Sequence, residues 1–403
     1  MILTRTTKEM VKKSEISIIS LVDALIEDAE HLRASDIHID PKEKEVVVRF
    51  RTDGILLDVA TLPKDIQSQV ISRIKVLAGL RTDEHQIAQD GRFRIFMENK
   101  SPVDIRVSIV PTFYGENVVL RLLAEHDDKF TLEALGFSPK DAQKIISAAK
   151  KPFGMILATG PTGSGKTTSL YTILKMLNKR EASIITIEDP VEYSIEGINQ
   201  IQVNQRAGLT FANGLRSMLR QDPDVIMVGE IRDTETAGLA VNTALTGHLV
   251  LSTLHTNDAA TTLPRLLDLG VEPYLITSTV NVAIGQRLVR KICDGCKSTR
   301  ALNAGEKKSL AETEGLPKAD FTQISFGKGC DDCVGTGYRG RIGIYEVLAL
   351  DEPIRQAMLR RDSANVIKEL AIKQGMNTMI EDGFRKIKQG GTTIEEVLRV
   401  IHE

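Results

Sequence analysis

Residues 154–177 read GMILATGPTGSGKTTSLYTILKML. A short apolar run ends at a glycine and gives way to Gly160-Pro161-Thr162-Gly163-Ser164-Gly165-Lys166-Thr167, which satisfies G-x-x-x-x-G-K-[ST] at every specified position. Thr168 follows, and then apolar residues at helical spacing. Strand, glycine-rich turn and helix together form the setting in which such a loop holds phosphate. Gly163 and Gly165 let the backbone curl so that successive N–H groups face phosphate oxygens. The start of the following helix adds the positive end of its dipole. Lys166 is then placed to neutralise β- and γ-phosphates, and the Thr167 hydroxyl to ligate Mg²⁺. The ligands expected from this stretch are ATP and Mg²⁺.

Working outward, three more apolar runs share the character of GMILAT: ASIITIED (182–189), DVIMVGE (224–230) and GHLVLSTLH (247–255). Apolar strands alternating with helical segments predict a doubly wound, mainly parallel sheet, with functional residues at the strands' C-terminal ends. Two of these runs end in acids. Glu230 follows VIMVG where an aspartate usually holds the metal, and a longer side chain can reach the Mg²⁺ shell through a water. Glu188, in ITIEDP, is then expected to polarise the attacking water. His255 sits at the end of the last run, where it can sense the γ-phosphate through a hydrogen bond; His248 precedes the run and is the weaker candidate.

The first third of the chain has another texture. Residues 15–34 carry Ile18, Leu21, Leu25, Ala29 and Leu32 at helical spacing. SDIHID and KEVVVRFRTDGILLDV alternate as strands, the second around an Asp53-Gly54 turn, and 65–80 reads as helix. DGRFRIF, VDIRVSIVP and ENVVLRLL read as three further strands, so this part is α+β. A linker is expected in the charged run AEHDDK, 124–129. The last 55 residues or so carry helical patterns such as PIRQAMLRR and ANVIKELAIKQG.

Four cysteines fall as two C-x-x-C pairs, Cys293/Cys296 and Cys330/Cys333. Each pair can place two thiolates on one tight turn, and two turns complete a closed Cys₄ site for structural Zn²⁺. The gap between the pairs is wider than in the usual zinc ribbon, so the residues between them must form an excursion of their own. A thioredoxin-like redox pair does not explain two knuckles. The formal net charge of −2 and an aromatic content of 4% argue against nucleic acid as the main partner. No run approaches a membrane span, and the N-terminus lacks the apolar core of a secretory signal. A cytoplasmic location is expected.

Taken together and in this order, GPTGSGKTT, ITIEDPVEY, GEIRD and GHLVLSTLHTNDA resemble the Walker A, Asp box, Walker B and His box of the bacterial type II secretion and type IV pilus motor ATPases. SDIHIDP through GENVVLRLL is similar to that family's second N-terminal domain. The cysteine segment with GTGYRGRIGIYEVL resembles an extension found in secretion and pilus-assembly members, which retraction members typically lack. No additional docking domain precedes about residue 15, which points to a short or truncated member.

The resemblance implies a RecA-like P-loop ATPase core preceded by a PAS-like α+β domain, with a zinc-binding insertion and a helical C-terminal part. The expected divisions are 1–126, 127–290, 291–345 and 346–403. It also implies a homo-hexameric ring that couples ATP hydrolysis to pilin or pseudopilin assembly, working with an inner-membrane platform protein and a cytoplasmic docking protein. Such a chain is peripheral to the inner membrane through its partners. Arginines of the first domain are expected to complete a neighbour's nucleotide site, with Arg106 and Arg121 the foremost candidates. Arg92 and Arg94 read as a solvated strand face, and Arg216, Arg220 and Arg232 are weaker. The competing reading is a nucleic-acid translocase or helicase with the same core.

Overall fold

The computed structural model describes residues 6, 17–97, 102–124, 131–305, 307 and 323–402. Apart from Ala124 and Thr6, the linker expected at 124–129 and the segment before residue 15 lie outside the described residues. The chain divides into two compact units, one of residues up to 128 together with Gly329–Gly340, and one of Lys129–Lys328 together with Arg341–Glu403.

In the first unit, helix α1 (Ile18–His31) leads into strands β1 (Ala34–Pro41), β2 (Glu45–Thr52) and β3 (Ile55–Pro63). Helix α2 (Gln67–Leu77) follows, then β4 (Gln89–Phe96), β5 (Pro102–Thr112) and β6 (Gly115–Ala124). The sheet order is β3-β2-β1-β6-β5-β4, with neighbouring strands antiparallel throughout. Alternation decides which face is covered. Val103, Ile105, Val107 and Ile109 of β5 are buried under α1 and α2, with Leu21, Leu25, Val70 and Ile74 in the same core, while Asp104, Arg106 and Ser108 face the other way.

The second unit holds a seven-stranded sheet of order β15-β12-β7-β11-β10-β8-β9. Its strands are β7 (Gly154–Thr159), β8 (Ile184–Glu188), β9 (Asn199–Gln202), β10 (Val225–Val228), β11 (Leu249–Leu254), β12 (Val280–Ile292) and β15 (Tyr338–Ala349). The β12-β7-β11-β10-β8-β9 pairings are all parallel. Strands β7, β8, β10 and β11 are buried along their whole length, as expected of a sheet covered on both faces. One face packs against helices α3 (Leu132–Leu135), α4 (Pro139–Ala149) and α5 (Lys166–Leu177). The other packs against α6 (Phe211–Met218), α7 (Thr234–Leu245), α8 (Thr262–Asp268), α9 (Pro273–Thr279), α10 (Glu352–Leu359) and α11 (Ala364–Lys373). The doubly wound core read from the sequence is present. Strand β12 was not foreseen.

The chain closes with α12 (Met379–Lys388) and α13 (Ile394–His402), which share a core with Val289 and Ile344. Glu396 ties α13 to β12: it is 2% exposed, accepts from the Arg290 backbone N–H at 3.0 Å and Nη2 at 2.7 Å, and from Arg399 Nη2 at 2.9 Å. Burial alone would raise its pKa, but the hydrogen bonds from Arg399 and Arg290 outweigh burial and hold it at about 2. A carboxyl depressed in the folded state stabilises above its unfolded pKa and stops doing so as pH falls through the folded value. Glu396→Ala is therefore expected to cost about 3–5 kcal/mol at neutral pH, the range for breaking a buried pair. Chemical denaturation should show that deficit shrinking between about pH 4.5 and pH 2.

Candidate functional site

At the C-terminal end of β7 the chain turns on Gly160 and reaches α5 through Gly163 (φ 78°) and Gly165 (φ 85°). Gly165 is the N-cap of α5 and sits in the left-handed region, where a side chain is strained. Pro161, Thr162 and Gly163 are exposed, Thr167 and Thr168 half-buried, and Ser164 buried. Lys166 is 9% exposed and donates from Nζ to the carbonyls of Gly160 at 2.8 Å and Pro161 at 3.0 Å. Burial pulls its pKa down, and the charge of Glu230 opposes that. The lysine of the phosphate loop and the acid after β10 thus share one electrostatic environment.

Glu230 is the hub. His255 Nε2 lies 3.2 Å from its Oε2, and Arg232 Nε reaches the same oxygen at 2.5 Å. Gly229 makes this geometry possible, because a Cβ there would press on the Glu188 backbone at 3.3 Å. Thr256, next to His255, is fastened to the end of β7: its backbone N–H donates to Thr159 Oγ1 at 2.9 Å. His248 lies at the opposite end of β11, 3.1 Å from the Thr243 carbonyl, and is not brought to this site. Arg216 is engaged by Glu235, and Arg220 by the Arg216 carbonyl.

Glu188 is placed differently from the expectation. It is 2% exposed, and its oxygens accept from the Tyr171 hydroxyl, from Thr186 Oγ1 at 2.5 Å and from Gln200 Nε2 at 3.3 Å. Burial raises its pKa, while these donors act against burial. Tyr171 belongs to α5, so Glu188 braces the helix that starts at Lys166. Glu192, four residues further along the segment leaving β8, was missed by the sequence reading. It is half-buried, has no ion-pair partner among the described residues, and lies close enough to add its charge to that of Glu188. The repeated acid in EDPVE was the available signal.

In the first unit, register brings the arginines into one row. Arg92 pairs with Arg106, Arg106 with Arg121, Arg121 with Asp36, and Asp36 with Arg51. Arg121 donates from Nε to Asp36 Oδ1 at 2.9 Å and remains 59% exposed at its side chain. Arg94 is held by Asp104 at 2.6 and 2.8 Å. Arg92, read as mere solvated surface, belongs to the same row as the two favoured candidates.

The cysteine segment is built on β13 (Lys297–Ala301) and β14 (Gln323–Gly327), which pair antiparallel. The first knuckle closes through Cys296 N–H to the Cys293 carbonyl at 3.2 Å. In the second, the N–H groups of Cys330 and Gly337 point at Cys333 Sγ, at 3.2 and 3.3 Å. The four sulfurs all lie within 4.8 Å of one another, with Cys330 and Cys333 at 3.7 Å. Tetrahedral Zn–S bonds of about 2.3 Å put sulfurs about 3.8 Å apart, so the donor set and its spacing are compatible with zinc.

With this geometry in hand, the comparisons decide the family. The model for the type II/IV secretion system protein family matches residues 11–399. The chain belongs to that family. This secretion-family chain is 48% identical over 390 residues to type II secretion system protein E of Xanthomonas campestris pv. campestris, covering 97% of itself and 68% of that protein. It is 45% identical over 397 residues to the type IV pilus assembly ATPase PilB of Myxococcus xanthus, covering 98% and 70%. Among solved structures, the pilus retraction motor PilT with bound ADP matches with a TM-score of 0.63 at 26% identity, covering 94% of this chain and 96% of that one. Relatives of this secretion-family chain are thus secretion and pilus ATPases. No helix among its described residues is long and apolar enough to cross a membrane.

Proposed function

We propose that this chain is a Mg²⁺-dependent ATPase serving as the motor of a type II secretion or type IV pilus assembly machine. The observation that supports the reading most is Lys166 of the phosphate loop sharing its surroundings with Glu230, itself joined to His255 and Arg232. Backbone N–H groups of Gly160–Thr168 cradle the phosphates, and Lys166 supplies the counter-charge. The residues fit Mg²⁺, with the Thr167 hydroxyl as its ligand and Glu230 in reach of its water shell; the bound ion would neutralise charge on the β- and γ-oxygens. His255, bonded to Glu230, reads the γ-phosphate position. We assign the orientation of the attacking water to Glu192, whose carboxylate is not already occupied, and a supporting role to Glu188. Glu192→Gln should then keep nucleotide binding and lose about 10²–10⁴ in turnover, the range for general-base catalysis. Glu188→Gln, which can still accept from Tyr171, should stay within about tenfold of the parent, and the reverse ranking would return the role to Glu188.

The wider reading is a ring of identical chains, six by resemblance, docked from the cytoplasmic side on a membrane platform protein, with divisions near 126, 290 and 345. The first-unit arginine row supplies groups for a neighbour's site. Zinc holds the two knuckles together as a structural metal. One equivalent of zinc per chain is expected by elemental analysis, and Cys293→Ser should lower the melting temperature without moving ATP affinity; an active protein holding no metal would end the zinc assignment. The activity itself is tested by phosphate release from the purified chain. Turnover should require Mg²⁺, stop with EDTA and be indifferent to single-stranded DNA, whereas marked stimulation by DNA would favour a translocase.

A further inference from the structure

Strand β12 lies beside β7 with Gly285 opposite Thr159, so Gln286 stands against Gly160, where the phosphate loop begins. Gln286 is 1% exposed, and its Nε2 donates to the Ser164 carbonyl at 2.7 Å. The loop is moulded on this residue. A Cβ at Gly160 would run into the Gln286 carbonyl, and one at Gly165 would approach Gln286 Nε2 to 3.3 Å. The other end of the Gln286 amide, Oε1, is buried with no hydrogen-bond partner among the described residues, and so is Ser164 Oγ. A buried, half-satisfied amide is costly, so its presence under the loop calls for a function.

The Ser164 carbonyl and the Gly165 N–H belong to one planar trans peptide and point in opposite directions. Drawing the carbonyl down onto Gln286 therefore turns the Gly165 N–H the other way, into the cradle. We propose that Gln286 is a positioning residue of the phosphate loop: by holding the Ser164 carbonyl it aims the Gly165 N–H at the diphosphate of the nucleotide. This rests on the reading of 160–168 as the phosphate loop. Lys166 cannot do the same job, because its ammonium is engaged at the other end of the loop by the Gly160 and Pro161 carbonyls.

The test is calorimetric binding of ADP and of AMP, with steady-state ATP hydrolysis, in Gln286→Met, which keeps the length and loses the donor. ADP affinity should fall about tenfold, as for one hydrogen bond of ordinary strength, and AMP affinity should move less than about twofold. KM for ATP should rise with the ADP loss while kcat stays within about threefold, since the same bond is made before and during turnover. Gln286→Glu is the second variant, needed where Gln286→Met melts early. Burial raises the pKa of that carboxyl. Protonated, it can still donate to the Ser164 carbonyl and should keep ADP affinity near the parent's. Once ionised at higher pH, it faces that carbonyl without a donor and ADP affinity should fall, again sparing AMP. Unchanged ADP affinity in Gln286→Met, or in Gln286→Glu as pH rises, or ADP and AMP falling together, overturns the proposal. Lys166→Ala serves as the control: if it retains ADP affinity, the phosphate-loop reading fails; if it alone loses affinity, only the role of Gln286 fails.

Discussion

Lys166→Ala should lower nucleotide affinity by at least about a hundredfold. In the folded chain the ammonium is buried and held by two neutral carbonyls, Gly160 and Pro161, with the charge of Glu230 favouring its protonated form. That is a weak set of partners for a desolvated cation. A polyphosphate offers charged acceptors in their place, and each hydrogen bond between charged groups contributes about 1.5–3 kcal/mol. Two such bonds lost correspond to about a hundred- to ten-thousandfold in affinity at about 1.4 kcal/mol per decade. Calorimetry with ATP and ADP reads the effect directly. The truncated side chain leaves room beside α5 but removes no apolar core, so the melting temperature without nucleotide should shift by only a few degrees. Nucleotide affinity within threefold of the parent would contradict the assignment of the loop.

Arg121→Ala should abolish turnover with little change in fold, because its side chain is more than half exposed and its partner Asp36 retains Arg51 nearby at 3.8 Å. An arginine that completes a phosphoryl-transfer site from another chain contributes about 10³–10⁵ in turnover in P-loop systems. The row Arg92, Arg106, Arg121 sits in a unit that has no phosphate loop of its own, and on the proposed reading it acts on a neighbour's site. Two results follow. Specific activity of the parent should rise with protein concentration, and Arg121→Ala chains mixed with Lys166→Ala chains should regain part of the activity that each lacks alone. Each mixed interface can then pair an intact loop with an intact arginine. Activity per chain that ignores concentration, with no recovery on mixing, would place the arginine's action within one chain or nowhere.

What the sequence made legible was local chemistry. Residues 154–177 announce strand, loop and helix because the glycines, the lysine and the hydroxyl needed for phosphate lie within one stretch of backbone. The acids and histidine at the ends of β10 and β11 were readable for the same reason. The row of arginines was only half readable. Alternation gave the face of each strand, but the pairing of Arg92 with Arg106 and Arg106 with Arg121 is a matter of register, which distant turns set. The burial of Glu188 was not readable, because an acid at a strand end looks the same whether it faces solvent or core. Tyr171 and Gln200, from two other elements, decide that it is buried. Gln286 carried no signal at all: a parallel partner of the phosphate loop comes from far along the chain, and β12 reads as an unremarkable apolar run before the first cysteine knuckle. Non-local pairing is the part of a doubly wound fold that periodicity does not encode.

On the proposed function, Gly160–Thr168 holds the nucleotide, with Lys166 on its phosphates and Glu230 alongside. A structure of this chain with Mg²⁺ and a non-hydrolysable ATP analogue tests it most directly. Lys166 Nζ should have moved from the Gly160 and Pro161 carbonyls onto β- and γ-phosphate oxygens, with the metal on the Thr167 hydroxyl and Glu230 in the metal's water shell. A nucleotide seated elsewhere, or one whose phosphates leave Lys166 on its two carbonyls, would contradict it.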